Sequence, residues 1–470
     1  MKKAISILLV CMGVLYYACK QTKKNEKAAD QTIIPVSLPN PGIPGFHFPT
    51  DSQTIDNWIN HGDSEKMVDH SWGIWTAMTS ETNEKINNQT LRVFETWATP
   101  EELSNAVSST GATKNIAAVS PKTHRKVLHG PRQFLHSRSH KLKMEALPSN
   151  ANPSGVYQLL VTITYDPPAA NFATGNKLFD SSTLQNMLTS GATGIPDFPD
   201  SAITDKPTYE IIPKAKIDKG GYFPFRVWTG PNDQLSGYGQ QDWPGIVYVD
   251  TTNKSHGDGS IDMNNKGRKP EYTYNLNDFI WYTLDSADAA AINAQPGDLA
   301  ILVGMHVTSK ETKRWVWQTF WWTPDPKNPP APSNAYTASR RPSQLKGAPA
   351  HYAMAIAYSF TTPNQPYTGG NKEGKSIYAF NPFLEAPFDT SVFYTPGLVG
   401  PTVNRVGCQT NCMSCHAIAT FQPNMSDNAL INSGNYIPNT YIDMVKDSNF
   451  KNTLQLDFLW SIRGNLNPPK

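Results

Sequence analysis

Charge is scarce in this chain. Only 17% of its 470 residues are Asp, Glu, Lys or Arg, and the formal net charge is +2. No strong electrostatic commitment to nucleic acid or to acidic partners follows from that balance. Cysteine is scarcer, with five residues at positions 11, 19, 408, 412 and 415, and their roles below leave Cys408 with no obvious disulfide partner. The apolar run Ala4–Ala18 stops short of the roughly 20 residues that a bilayer-spanning helix needs. Other residues are plentiful: 38 prolines, 12 tryptophans, 11% aromatics and 39% hydrophobics. That supply of apolar side chains is ample for a core and excludes global disorder. Few charges with many prolines suit a β-rich, loop-rich secreted protein better than a helical bundle.

The N-terminus reads as an export signal. Met1-Lys2-Lys3 is a basic lead, Ala4–Ala18 the apolar centre, and Cys19 opens the polar stretch Lys20–Asp30. A small residue before Cys and a polar tail after it look like a bacterial lipoprotein cleavage site, with Tyr16 and Tyr17 where aliphatic and small residues are usual. The expectation is a lipoprotein signal peptide over 1–19, with lipidation at Cys19. An ordinary cleaved signal is the alternative. The chain is then exported to the periplasm and lipid-anchored to a bacterial membrane, with residues 20–40 as a polar, Pro-rich tether.

The body, 41–395, reads as a large β-rich domain. Asp51–Thr79 places aromatics at near-helical spacing, and Leu91–Trp97 reads as a strand. Thr99-Pro100-Glu101-Glu102 carries a helix start with capping hydroxyl, proline and glutamate in order. Strands are expected at Val156–Tyr165, Tyr209–Lys216, Phe223–Thr229 and Ile246–Asp250, and helices at Lys177–Leu188 and Ser286–Ala294. The strongest signal is Asp298–Thr323, two β-runs joined by Lys310-Glu311-Thr312-Lys313. Aromatics fall on both faces of its second strand, which places that strand inside a sheet covered on both sides.

Gly407–Phe421 contains the chain's most specific chemistry, Cys412-Met413-Ser414-Cys415-His416. This C-x-x-C-H pentad is the pattern for covalent attachment of c-type haem. Two thiols on one helical turn can each add to a vinyl group of one porphyrin, and His416 follows as proximal iron ligand. One covalent haem c is expected, on a small, mainly helical C-terminal segment (396–470) packed on the body, with Leu454–Ile462 helping to cover the porphyrin. Met444 or Met425 is the candidate distal ligand. His306, His351 and Met354 of the large domain also come into question, and five-coordinate iron stays open.

Two patterns carry less. Gly369–Ser376, GGNKEGKS, satisfies the phosphate-loop pattern, but Pro363 and Pro366 precede it and a β-like run follows. A surface turn is expected, and no ATP binding. Lys122–Lys143 holds seven Lys or Arg and four His without an acid. Its histidine spacing fits no metal motif, and its single large aromatic, Phe134, does not suggest stacking on nucleic acid. A solvated loop is expected, with partner docking as the minor alternative.

Seven stretches carry a resemblance: SWGIWTAMT, FETWATPEEL, GDLAILVGMHV, WVWQTFWW, NPFLE, NCMSCH and DFLWSI, from about Ser71 to Ile462. With them the chain resembles large exported bacterial cytochrome c family proteins. The resemblance implies one c-type haem, attached at Cys412, Cys415 and His416, behind a large domain of unassigned function, and it carries over no catalytic residue. The resulting expectation is an α+β protein acting in periplasmic electron transfer through one haem, with a redox partner protein. The alternatives are a haem-dependent oxidoreductase with a substrate site in the large domain, and a haem-based sensor or binding protein.

Overall fold

A computed structural model describes residues 33–110, 159–233, 236–371, 374–393, 406–423 and 436–467. The signal region, Cys19, the basic run Lys122–Lys143 and Met425 lie outside the described residues. The fold is mixed α+β with several antiparallel sheets. Its elements run α1 (Ser52–His61), α2 (Ser64–Met78), β1 (Glu81–Ile86), β2 (Gln89–Arg92), α3 (Pro100–Thr110), β3 (Leu159–Val161), β4 (Thr164–Tyr165), α4 (Pro167–Gly175) and α5 (Ser181–Thr189). They continue with β5 (Ile203–Ile212), β6 (Tyr222–Val227), β7 (Gly245–Asp250), β8 (Thr273–Asn275), β9 (Trp281–Thr283), α6 (Ser286–Ala291), β10 (Leu299–Ser309), β11 (Val316–Trp322), α7 (Ala335–Ser339) and β12 (Tyr352–Ala357). The last are β13 (Thr361–Thr362), β14 (Lys375–Ser376), α8 (Cys412–Ala417), β15 (Thr420–Phe421), β16 (Leu454–Gln455) and α9 (Trp460–Arg463). Among the described residues, no helix is long and apolar enough to cross a membrane.

The main sheet has the order β12-β11-β10-β5-β3, with β4 also on β5 and β9 also on β10. The β10–β11 hairpin is central, as expected, and every residue of β11 is buried. Period-two alternation separates its faces. Trp317 lies opposite Thr308 and Thr319 opposite His306, so these four share one face. Phe320 points to the other face and stacks on Trp75 of α2, ring centroids 4.1 Å apart. Helices α1 and α2 begin under Asp51 and Asp63, whose carboxylates cap Thr54 and Lys66 amides, satisfying donors that a helix start leaves unpaired.

Several boundaries differ from the sequence expectation. After β2 the run Leu91–Trp97 turns into a 3-10 helix over Val93–Thr96. The helix expected from Lys177 starts at Ser181, where Asp180 caps it. Residues 33–40 of the expected tether pack on the body: Ile33 is buried beside Ile86 and Leu91. The Val36 amide bonds Thr96 Oγ1, and its carbonyl accepts from Trp97 Nε1. The helix start at Thr99 stands, with Thr99 and Glu102 each bonding the other's amide. One contiguous hydrophobic core runs from Phe46 to Ile462 and takes in Met413 and Ala417 of the pentad helix.

The phosphate-loop pattern does not meet its structural context. It runs into the two-residue β14, and the strand next before it, β13, is also only two residues long and pairs with β14. The Asp443 carboxylate accepts from the Gly369 amide at 2.7 Å and from Thr368 Oγ1 at 2.8 Å. A negative group of the chain thus holds the amide that a phosphate would need.

Candidate haem-attachment site

The pentad helix α8 is short and held from several sides. Asn411 caps it by accepting from the Met413 amide at 2.9 Å. The Asn411 side-chain amide reaches back to the Ser359 carbonyl at 3.2 Å. Trp460 Nε1 donates to the Cys415 carbonyl at 3.2 Å. The preceding 3-10 turn, Gly407–Gln409, lies directly on the NPFLE segment. A Cβ on Gly407 would come within 1.5 Å of the Glu385 carbonyl oxygen, so only glycine permits this approach.

His416 is fixed by a backbone group and a ring. Its Nδ1 lies 2.9 Å from the Phe458 carbonyl oxygen. A carbonyl only accepts, so Nδ1 carries the proton. Burial, with the His306 and Lys206 charges acting in the same direction against the Phe458 bond, pushes the imidazole down to about 3. The ring is therefore neutral at ordinary pH, and its lone pair is on Nε2, the form in which histidine ligates a metal. Trp317 packs against the ring with centroids 4.4 Å apart.

The thiols are held protonated. Burial raises Cys412 well above the usual thiol range, with the Glu385 and Cys415 charges adding to it. Burial and Glu385 push Cys415 up to about 12. Cys412 Sγ donates to the Ala379 carbonyl at 3.0 Å. His306 Nδ1 stands 4.0 Å from the same sulfur, and His306 Nε2 bonds Glu385 Oε1 at 3.0 Å. The array resembles a Cys-His-acid nucleophile set, but the thiol proton goes to Ala379, and burial with the Glu385 charge raises the thiol's pKa. Activated cysteines need the reverse.

Among the described residues, no three His, Cys, Asp or Glu side chains stand together as a metal-holding group. The pentad thus offers two neutral thiols and one neutral imidazole. These fit a c-type haem, which takes two thioether links at its edge and one nitrogen on its iron. They do not make up the four ligands of a structural zinc site.

The other sequence candidates separate by face. His306 shares the Trp317 face and stands at the site. Met354 lies opposite Phe320, on the face turned toward α2, so the sheet itself separates it from His416. His351 pairs with Asp278, its Nε2 3.6 Å from Oδ1. Met444 is buried in the core; its amide donates to the Tyr367 carbonyl and its carbonyl accepts from Gln455. Cys408 is a buried thiol pushed up to about 12 by burial.

Glu385 and Trp317 were not expected at the site; Phe458 and Trp460 fall in the stretch Leu454–Ile462 expected to cover the porphyrin, but their bonds to His416 and Cys415 were not foreseen. Alternation along the hairpin could have put Trp317 and His306 on one face. A carbonyl such as that of Phe458 has no sequence signature. Compared with family models, curated proteins and solved structures, the chain finds no match.

Proposed function

We propose that the protein is an exported c-type haem protein that transfers electrons in the periplasm through one haem held by Cys412, Cys415 and His416. The observation that carries this reading is the protonation pattern. Nδ1 of His416 is committed to the Phe458 carbonyl, which leaves Nε2 as a lone-pair donor, one residue after two protonated thiols on a single turn. A haem iron supplies one-electron chemistry. The chain's part is to hold the imidazole by Phe458 and Trp317, to keep the thiols neutral, and to close the site with the buried face of β10 and β11.

Export and a lipid anchor at Cys19 rest on the pattern of residues 1–19, and the redox partner on the proposed activity. Met444 and Met425 remain the candidate distal ligands from sequence. The oxidoreductase alternative has one observation in its favour: His306 and Glu385 form an acid–base pair 4.0 Å from Cys412 Sγ. Turnover that vanishes in Glu385→Gln while haem is retained supports that alternative.

The test of the main reading is covalency. In a host that matures c-type haem, the parent chain retains haem through acid–acetone extraction. Cys412→Ser/Cys415→Ser loses it. Retention by the double variant contradicts the assignment.

A further inference from the structure

The carbonyl that orients His416 belongs to a strained turn. Asp457 and Phe458 are consecutive non-glycine residues with φ of 46° and 69°. The left-handed region is unfavourable for an ordinary residue and persists only where surrounding contacts over-determine it. Bulky residues such as Phe are genuine outliers there.

The contacts that hold this turn come from the large body. Alternation along β10 continues past its end, so Lys310 points to the same side as His306 and Thr308, while Glu311 points to the other and bonds His70 Nε2 at 3.0 Å. Lys310 Nζ reaches Asp457 Oδ1 at 2.6 Å, with side chains only 4% and 7% exposed. Asp457 Oδ2 accepts from the Phe198 amide at 3.2 Å. A second carboxylate, Asp197, lies 3.2 Å from Lys310 but is 77% exposed. The Lys310 ammonium also stands 5.5 Å from the Trp315 ring centre. Removing one partner of a buried ion pair leaves the other uncompensated, so Lys310 and Asp457 act as one unit.

We propose that Lys310 and Asp457 are positioning residues for His416: their buried ion pair holds the left-handed turn that presents the Phe458 carbonyl to His416 Nδ1, and so sets the strength of that hydrogen bond. As a statement about iron, this rests on the haem reading. As a statement about the imidazole, it does not. A partner that accepts the ring N–H raises ligand basicity, and a more basic imidazole favours ferric over ferrous iron. Loosening the turn therefore raises the midpoint potential.

The experiment compares the full-length parent with Lys310→Met, Asp457→Asn and Asp197→Ala. Ring nitrogen NMR of His416 is recorded with and without haem, and the midpoint potential with haem. Lys310→Met and Asp457→Asn are expected to speed exchange of the Nδ1 proton at least tenfold and to shift the potential upward, with covalent haem retained. Asp197→Ala is expected to change neither. Both variants reaching parental exchange and potential, with only thermal stability lowered, overturns the proposal. If neither parent nor variants bind haem, the haem reading fails, and the exchange rates in the haem-free chain decide the positioning role alone. Where Lys310→Met does not fold, the nearly isosteric Asp457→Asn decides between these outcomes.

Discussion

At the scale of the residue, the fold controls chemistry by deciding where single protons sit. His416 is neutral and committed through Nδ1, and the cysteines beside it stay thiols. Glu210 shows the same control away from the site. It is fully buried on β5 with one hydrogen bond, from Gln240 Nε2 at 2.7 Å, and its carboxyl is pushed up to about 8 by burial. An unfolded Glu titrates near 4.3. Between these values the folded chain binds the extra proton, so this contribution to stability is full below about pH 4 and is lost as pH rises through about 8. Glu210→Gln is expected to flatten that decline, which linkage puts at roughly 4 kcal/mol between pH 5 and pH 9, measured by urea unfolding at each pH. An unchanged slope shows that Glu210 is ionised in the fold. Cys412, Cys415 and His416 stood out in the sequence because the C-x-x-C-H pattern proposed to attach haem has a rigid spacing. Phe458 was not, since it acts through its carbonyl, and Asp457 looks like any loop aspartate until its φ is known.

At the scale of the element, the β10–β11 hairpin does most of the positioning. Its alternation sends His306, Trp317 and Lys310 toward the pentad and Glu311 and Phe320 toward α2. The hairpin was legible because its aromatics and β-branched residues are strand formers with a polar turn between them. Its neighbour β5 was expected at Tyr209–Lys216 but spans Ile203–Ile212. Pro207 and the buried Asp205 and Glu210 hid the strand, since a proline argues against an interior strand and buried carboxyls break the apolar pattern. The NPFLE segment, read only as a mark of resemblance, proves to be a clamp. Glu385 accepts from the Asn381 amide through one oxygen and from His306 through the other, and Asn381 donates to the Phe320 carbonyl. Gly407 lies against its backbone. Gly407→Ala is expected to cost at least about 3 kcal/mol, because neither backbone can yield cheaply. Chemical denaturation measures this, and a cost under about 1 kcal/mol contradicts the close approach.

At the scale of the whole molecule, the pentad helix shares its core with the body. The core joins Phe46, Trp72, Trp321, Met413, Ala417 and Ile462 in one cluster, across the 395/396 division that the sequence suggested between the large domain and a segment packed on it. Composition and periodicity show where apolar side chains lie along the chain, and they do not show which of them meet across hundreds of residues. A shared core predicts shared unfolding. Tryptophan fluorescence and Soret absorbance are expected to report one midpoint within about 2 °C on heating. A Soret transition well below the fluorescence transition indicates a separately unfolding clasp.

Two thiols and one imidazole of this chain are proposed to hold a c-type haem, and absorption spectroscopy of the matured, full-length protein tests this most directly. The expected result is a Soret band that survives denaturation, one haem per chain, and a reduced pyridine adduct with the α-band of a porphyrin bearing two thioethers. A matured chain with no Soret band, or with haem that extracts freely into acid–acetone, contradicts it.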